Sequence, residues 1–422
     1  MCIARGAAVI AFGMAALATI PAYARKAPKV QVGNCLPSLP NYPTIGAALA
    51  NVPAGATIEI CPAAYPEQLT IRQNVSLVGV DADNSSQAHL VAPSGGFVTN
   101  ATYLGTDDPV DAQIVVEPGV TSFKVSGLTI DGSNSGITSC SPDLVGILVQ
   151  DASGTIEGNA IVNTNLGGQL EGCQTGLAVY VESDANGSSA VTVSNNVVQN
   201  FQKNGITGND AATSLVVTGN TVLGLGDNPD NAQNSIQLAF GATGSVSSNV
   251  VGDDVYTGGD YSATGILIYA SAGVNVRKNM INSTQGAIFV EGDNNGDADA
   301  PTITGNQITT THTYDGIDVC GLSNATVSSN IVNGSDQSAI HIDSECGGPS
   351  TATVNSNTIN LACAGILVGS GSVANGMSGN VYANVASDVL TGSDTCPVNG
   401  NTQLGAKTRH RLHAVPFRAV KR

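Results

Sequence analysis

Acidic and imidazole side chains gather in one stretch of this 422-residue chain, where three short segments of similar form carry Glu291, Asp318, His341 and Asp343. In each segment two apolar residues alternate with others: Ile288 and Val290, Ile317 and Val319, Ile340 and Ile342. Period-two alternation is that of a β-strand, so the apolar set points inward and the acids and histidine outward. In strands stacked in parallel about 4.8 Å apart, Asp318 and His341 are lateral neighbours, and Glu291 and Asp343 stand roughly 9–10 Å from each other. Two carboxyls near that separation can hydrolyse a glycosidic bond, one protonating the leaving oxygen and the other activating water. Asp343, raised in pKa by nearby Asp318, would be the acid, Glu291 the base, and His341 would orient or share a proton; the two carboxyl roles are interchangeable. Tyr269 and Phe289 lie on the same face and suit the stacking of neutral sugar rings. A blander reading of the same residues is a solvated acidic face with a surface Asp318–His341 ion pair.

A second candidate follows at once in the loop from Glu291 to Asp299, where Asp293, Asn295, Asp297 and Asp299 place oxygen ligands on alternating positions that would suit Ca²⁺. The Gly and terminal Glu of an EF-hand loop are misplaced there, so a solvated turn is the competing reading. Lyase chemistry needs a base and a cation to hold the charge left after C5 proton abstraction, and the nearest basic residues, Arg277 and Lys278, belong to a different strand.

These segments belong to a repeat. GTIEGNAI, VTVSNNVV, LVVTGNTV, GSVSSNVV, VNVRKNMI, PTITGNQI, ATVSSNIV, ATVNSNTI and NGMSGNVY share one Asn each: Asn159, Asn196, Asn220, Asn249, Asn279, Asn306, Asn330, Asn357 and Asn380. Most are followed by a second strand of the form Gly-Ile-x-Val. A unit this small cannot bury its own apolar face, so neighbours must stack as a solenoid. The repeated Asn is assigned to stacked turns, where amides hydrogen-bond along the ladder and tolerate left-handed backbone angles, and the Gly before each second strand is assigned to a turn as well. Upstream, Ile45, Leu49 and Val52 share one face of a short helix, which suits an N-terminal cap over the first coil.

With this opening and the Asn-anchored coils, residues 40 to about 390 resemble the pectate-lyase-like superfamily of right-handed parallel β-helices: esterases, lyases, glycoside hydrolases and epimerases of polysaccharides. The resemblance implies an all-β, single-stranded right-handed solenoid. It matches no particular enzyme family. The pectin-esterase strings and the polygalacturonase motifs are not present. Tyr314-Asp315-Gly316-Ile317-Asp318 is similar to the opening of the alginate-epimerase motif, but Cys320 and Gly321 stand where that family has His and Asp.

Composition bounds the setting. Arg5, the apolar run Ala7 to Ile20 and Ala22-Tyr23-Ala24 read as a secretion signal over residues 1–24, with the β-helix domain over 25–404. The mature chain keeps eight cysteines, and pairing them in order gives Cys35–Cys61, Cys140–Cys173, Cys320–Cys346 and Cys363–Cys396, with separations close to one repeat. The expected location is secreted or periplasmic. Between Arg25 and Leu404 eight Lys and Arg face all 32 Asp and Glu, a net charge of −24 that disfavours nucleic acid and anionic membranes. Residues 405–422 are basic and are expected to be a solvated, disordered tail. No membrane-inserting stretch is expected, and a monomer is the default. Two functions follow: action on an extracellular polysaccharide, hydrolytic if catalytic, or a non-catalytic solenoid that binds a cell-surface glycan or serves as structure.

Overall fold

The computed structural model describes residues 27–80, 87–259, 261–292, 300–309, 314–321, 324–396, 413–414 and 417. The signal segment and the loop carrying Asp293, Asn295, Asp297 and Asp299 lie outside them. The described chain winds as a right-handed parallel β-helix. One sheet has 14 strands and a second, bent sheet has 22. Almost every pairing is parallel; Ala101–Thr102 against Pro109–Val116 runs antiparallel.

One coil shows the unit. Thr213–Thr218 lies in the smaller sheet, the chain turns at Asn220, Thr221–Asn228 follows, and Asn234–Ala239 forms the long strand. The long strands stack with Ile147, Val179, Ile206, Ile236, Ile266, Ile288, Ile317, Ile340 and Ile366 in one column. All nine are fully buried, so the apolar ladder read from alternation is the core.

At the turns the Asn side chains form a continuous ladder. Asn249 donates from its backbone N and from Nδ2 to Asn279 Oδ1, both at 3.0 Å, and from Nδ2 to Val217 O at 3.1 Å. Its own Oδ1 accepts the same pair from Asn220 at 2.9 and 3.0 Å. The structural role expected of these residues holds, with one change: the left-handed residue is the one before each Asn. Gly158, Asn195, Gly219, Ser248, Lys278, Gly305, Ser329, Ser356 and Gly379 have φ between 55° and 73°. The Asn remains in ordinary backbone and spends its amide on the neighbouring coils.

The glycines that open the second strands also differ from expectation. Gly265 and Gly316 sit in strands without positive φ; a Cβ there would lie 2.9 Å from Ala287 O and 2.7 Å from Ala339 O of the next coil. Their smallness serves close stacking rather than a turn.

The helix α1 spans Ile45–Asn51, with Thr44 Oγ1 accepting from Ala47 N at 3.0 Å as its N-cap. Ile45 and Ala48 are buried, as is Val52 just beyond, whereas Leu49 is half-buried. All four cysteine pairs form as read from their order, with Cα–Cα distances of 5.2 to 6.1 Å. No described helix is long and apolar enough to cross a membrane.

The ladder yields a graded expectation. Asn249→Ala strands donors and acceptors on two coils and should cost about 3 kcal/mol, whereas Asn380→Ala, at the half-buried end, should cost about 1. Urea unfolding followed by circular dichroism measures both, and equal costs would contradict a cooperative ladder.

Candidate functional site

Outward positions on the long strands fall into columns set by the pairing register. One reads Leu148, Tyr180, Thr207, Gln237, Leu267, Phe289, Asp318, His341, Leu367. The next runs Gln150, Glu182, then Asn209, Ala239, Tyr269, Glu291, Cys320, Asp343. Asp318 and His341 are therefore lateral neighbours, and Glu291 and Asp343 are two coils apart, as alternation required. In the earlier coil Leu148 pairs with Tyr180 rather than with the residue two places after Gly176 that a common Gly-Ile-x-Val start gives. Gly176 has φ 83° and lies in a true turn, so the strand starts two residues later in phase and Tyr180 takes that place.

The Glu291–Asp318–His341–Asp343 set faces away from the core yet is covered: the four residues are 2–6% exposed. The expected open face is thus corrected to a buried cluster. Phe289, read as a stacking surface for sugars, is 1% exposed and packs with Leu267 and Tyr269, while Tyr269 sets its ring edge-on to Phe240 at 5.3 Å.

Two further acids join this cluster. His341 Nδ1 is 3.5 Å from Asp315 Oδ2 and 3.9 Å from Asp343 Oδ2, and its Nε2 is 3.7 Å from Asp394 Oδ1. These are ion-pair distances, too long for hydrogen bonds. Asp315 Oδ1 accepts from Ser338 N at 3.1 Å and from the Ser338 hydroxyl, and Asp343 Oδ1 accepts from Glu345 N at 2.7 Å. Asp394 accepts from Ser344 Oγ at 2.9 Å. Burial alone would lower the His341 pKa, but Asp315 and Asp394, helped by Asp318, hold it well above the usual histidine value. Burial, then the Asp343 charge, pushes Asp318 far up, and the adjacent His341 with the Ser344 donors takes Asp394 down to about 2. Asp318, beside Asp343, is thus the carboxyl of this set that burial and like charge push up.

Sequence reasoning missed Asp315 and Asp394. Asp315 precedes Gly316, where the aligned strands were taken to begin. Asp394 reaches the cluster from 50 residues beyond Ser344, and no local signal marks it.

A second feature on the same face is an open cleft of about 450 Å³ lined by Leu104, Thr106, Tyr180, Glu182, Ser183, Asp184, Asn209 and Asp210. Glu182 Oε1 accepts from Leu104 N at 3.0 Å and Gln150 Nε2 at 2.8 Å, but burial outweighs these donors and its pKa rises to about 8. Beneath the cleft Tyr103 and Tyr180 meet edge to face, centroids 5.2 Å apart. Phe417 packs on both rings; its N donates to Gln237 Oε1 at 2.8 Å, and its O accepts from Gln237 Nε2 and Asn209 Nδ2, each at 2.9 Å. Phe417, which falls within residues 405–422, is thus a buried residue seated against this floor. Buried amides and rings reward one apolar residue that a net-charge argument overlooks.

No family model matches this chain, and no curated protein matches it. Among solved structures it is similar to PfbA, a surface adhesin of Streptococcus pneumoniae, at 13% identity over 85% of this chain and 91% of that one, with a TM-score of 0.53. It is also similar to the GH136 lacto-N-biosidase of Eubacterium ramulus, at 10% identity over 85% of this chain and 67% of the other, with a TM-score of 0.50. At such identities the likeness is one of fold.

The buried carboxyl in the cleft has a signature in pH. Below about pH 4.5 Glu182 is neutral folded and unfolded; from there to about 8 only the unfolded chain releases the proton. Stability therefore falls as pH rises through this window, by on the order of 4 kcal/mol, and levels off above it. Glu182→Gln should flatten that slope when urea midpoints are compared between pH 5 and 8.5.

Proposed function

We propose that this is an exported β-helix protein that binds a neutral extracellular polysaccharide on the outward face of its long strands, in the cleft above Tyr180. One observation carries the reading: the cleft is open and walled by short hydrogen-bonding groups, Thr106, Ser183, Asp184, Asn209 and Asp210, at a spacing set by the stacked coils. Sugar hydroxyls need donors and acceptors of this kind on a rigid support. The acidic body argues for a neutral glycan rather than a polyanion, unless a cation such as Ca²⁺, held by the Asp293–Asp299 loop, bridges the two. The four cross-coil disulfides fit a secreted or periplasmic location. The β-helix serves both an adhesin and a biosidase among the similar structures, so attachment and cleavage are both open to this scaffold.

Hydrolysis by Glu291, Asp318, His341 and Asp343 is the second reading, favoured by Glu291 and Asp343 standing two coils apart beside Asp318, whose pKa burial raises. Their burial weighs against a polymer reaching them.

Affinity electrophoresis against a panel of neutral and acidic polysaccharides, run with a reducing-end assay, separates the two. Retention by one or more neutral glycans should fall at least tenfold in Asp184→Asn and Asp210→Asn and stay unchanged in Asp318→Asn. Retention that ignores the cleft variants would sink the binding reading, and new reducing ends lost in both Asp318→Asn and Asp343→Asn would establish hydrolysis in its place.

A further inference from the structure

The buried cluster contains more carboxylates than one imidazole can balance. Asp315, Asp318 and Asp343 crowd one side of His341, Glu291 acts on Asp318 from the preceding coil, and Asp394 closes the other side. Carboxylates gathered out of water repel one another unless a cation stands among them. The detailed geometry says where. Asp315 gives Oδ1 to Ser338 and Asp343 gives Oδ1 to Glu345 N, and each turns Oδ2 toward His341 Nδ1. Asp318 Oδ1 and both nitrogens of His341 are buried without a hydrogen-bond partner, and both residues are 4% exposed.

We propose that His341 with carboxylate oxygens of Asp315 and Asp318 forms a binding site for one divalent first-row transition metal, Zn²⁺ being the probe of choice. This goes beyond the glycan reading and does not rest on it. Ligand atoms 2.0–2.2 Å from a tetrahedral metal are about 3.3–3.6 Å from one another. The 3.5 Å between His341 Nδ1 and Asp315 Oδ2 matches that spacing, whereas Asp343, 3.9 Å from Nδ1, falls outside the Asp315–Asp318–His341 set. One nitrogen and one carboxylate oxygen each from Asp315 and Asp318 lie within 4.8 Å of one another. Imidazole among carboxylates suits Zn²⁺ or Mn²⁺, whereas Ca²⁺ takes six to eight oxygens. Asp394, beside Nε2 and itself held by Ser344, supplies the outer carboxylate that fixes a ligating imidazole. Cys320, within reach of Asp318 and Asp343, is tied to Cys346 and is not a ligand. Asp315 and Asp318 come from one coil and His341 from the next, so the metal would staple two coils beside that disulfide.

The test uses the oxidised mature protein, freed of any affinity tag and stripped with EDTA, in the absence of glycan. Calorimetric titration with Zn²⁺ should show one saturable site and a rise in Tm, and Co²⁺ should give the visible bands of a tetrahedral N/O site. His341→Gln and Asp318→Asn should weaken binding roughly 100-fold, and Asp394→Asn roughly 10-fold, while Asp184→Asn in the cleft leaves it unchanged. If His341→Gln fails to fold, the two aspartate variants decide. No saturable binding by folded, stripped protein would overturn the proposal, as would binding that the variants leave intact or that Ca²⁺ matches in affinity. Glycan retention is read separately, so either proposal can fail without the other.

Discussion

From Asn159 to Asn380 each coil of this solenoid passes hydrogen bonds to the next through a single asparagine. The side chain of Asn249 takes two donors from Asn220 and returns its own amide to Val217 and Asn279, so three coils are joined at one buried point. No other side chain offers a donor and an acceptor at that length, and the residue before it must enter the left-handed region to aim the amide along the stack. Because the ladder fixes where each turn falls, it also fixes where each following strand begins. The height and phase of every outward side chain follow from that.

Close stacking carries a second constraint. Where the long strands begin, the Cβ of one coil meets the carbonyl of the next, which accounts for Gly265 and Gly316 in otherwise regular strand. Once coils are held this near, Asp318 lies against His341 and Cys320 against both Glu291 and Asp343. Chemistry on this protein is a matter of which residue types the columns bring side by side.

The same face then meets two fates. Near Asp318 the segments carrying Asp394 and Cys346 come over the columns, water is excluded, and carboxyls separate into strongly raised and strongly lowered groups around one imidazole. Around Glu182 the face stays open beside Asp184 and Asp210, and burial, with the Asp210 charge, raises the Glu182 pKa to about 8. A closed, charge-rich pocket suits an ion; an open, polar cleft suits a chain of sugars.

By itself the sequence determined the strand period, the Asn repeat, the sequential disulfides and the pairing of Asp318 with His341, because each depends on spacing along the chain or on one register step between like segments. It misplaced the strand carrying Tyr180, since a glycine in a turn and a glycine in a stacked strand look alike until φ is known. Only the tertiary structure decided which outward residues are covered and that Asp394 and Phe417 arrive from the far end of the chain. The reason is physical: burial and electrostatic environment are set by segments distant in sequence, and alternation along one strand carries no information about what will later lie across it.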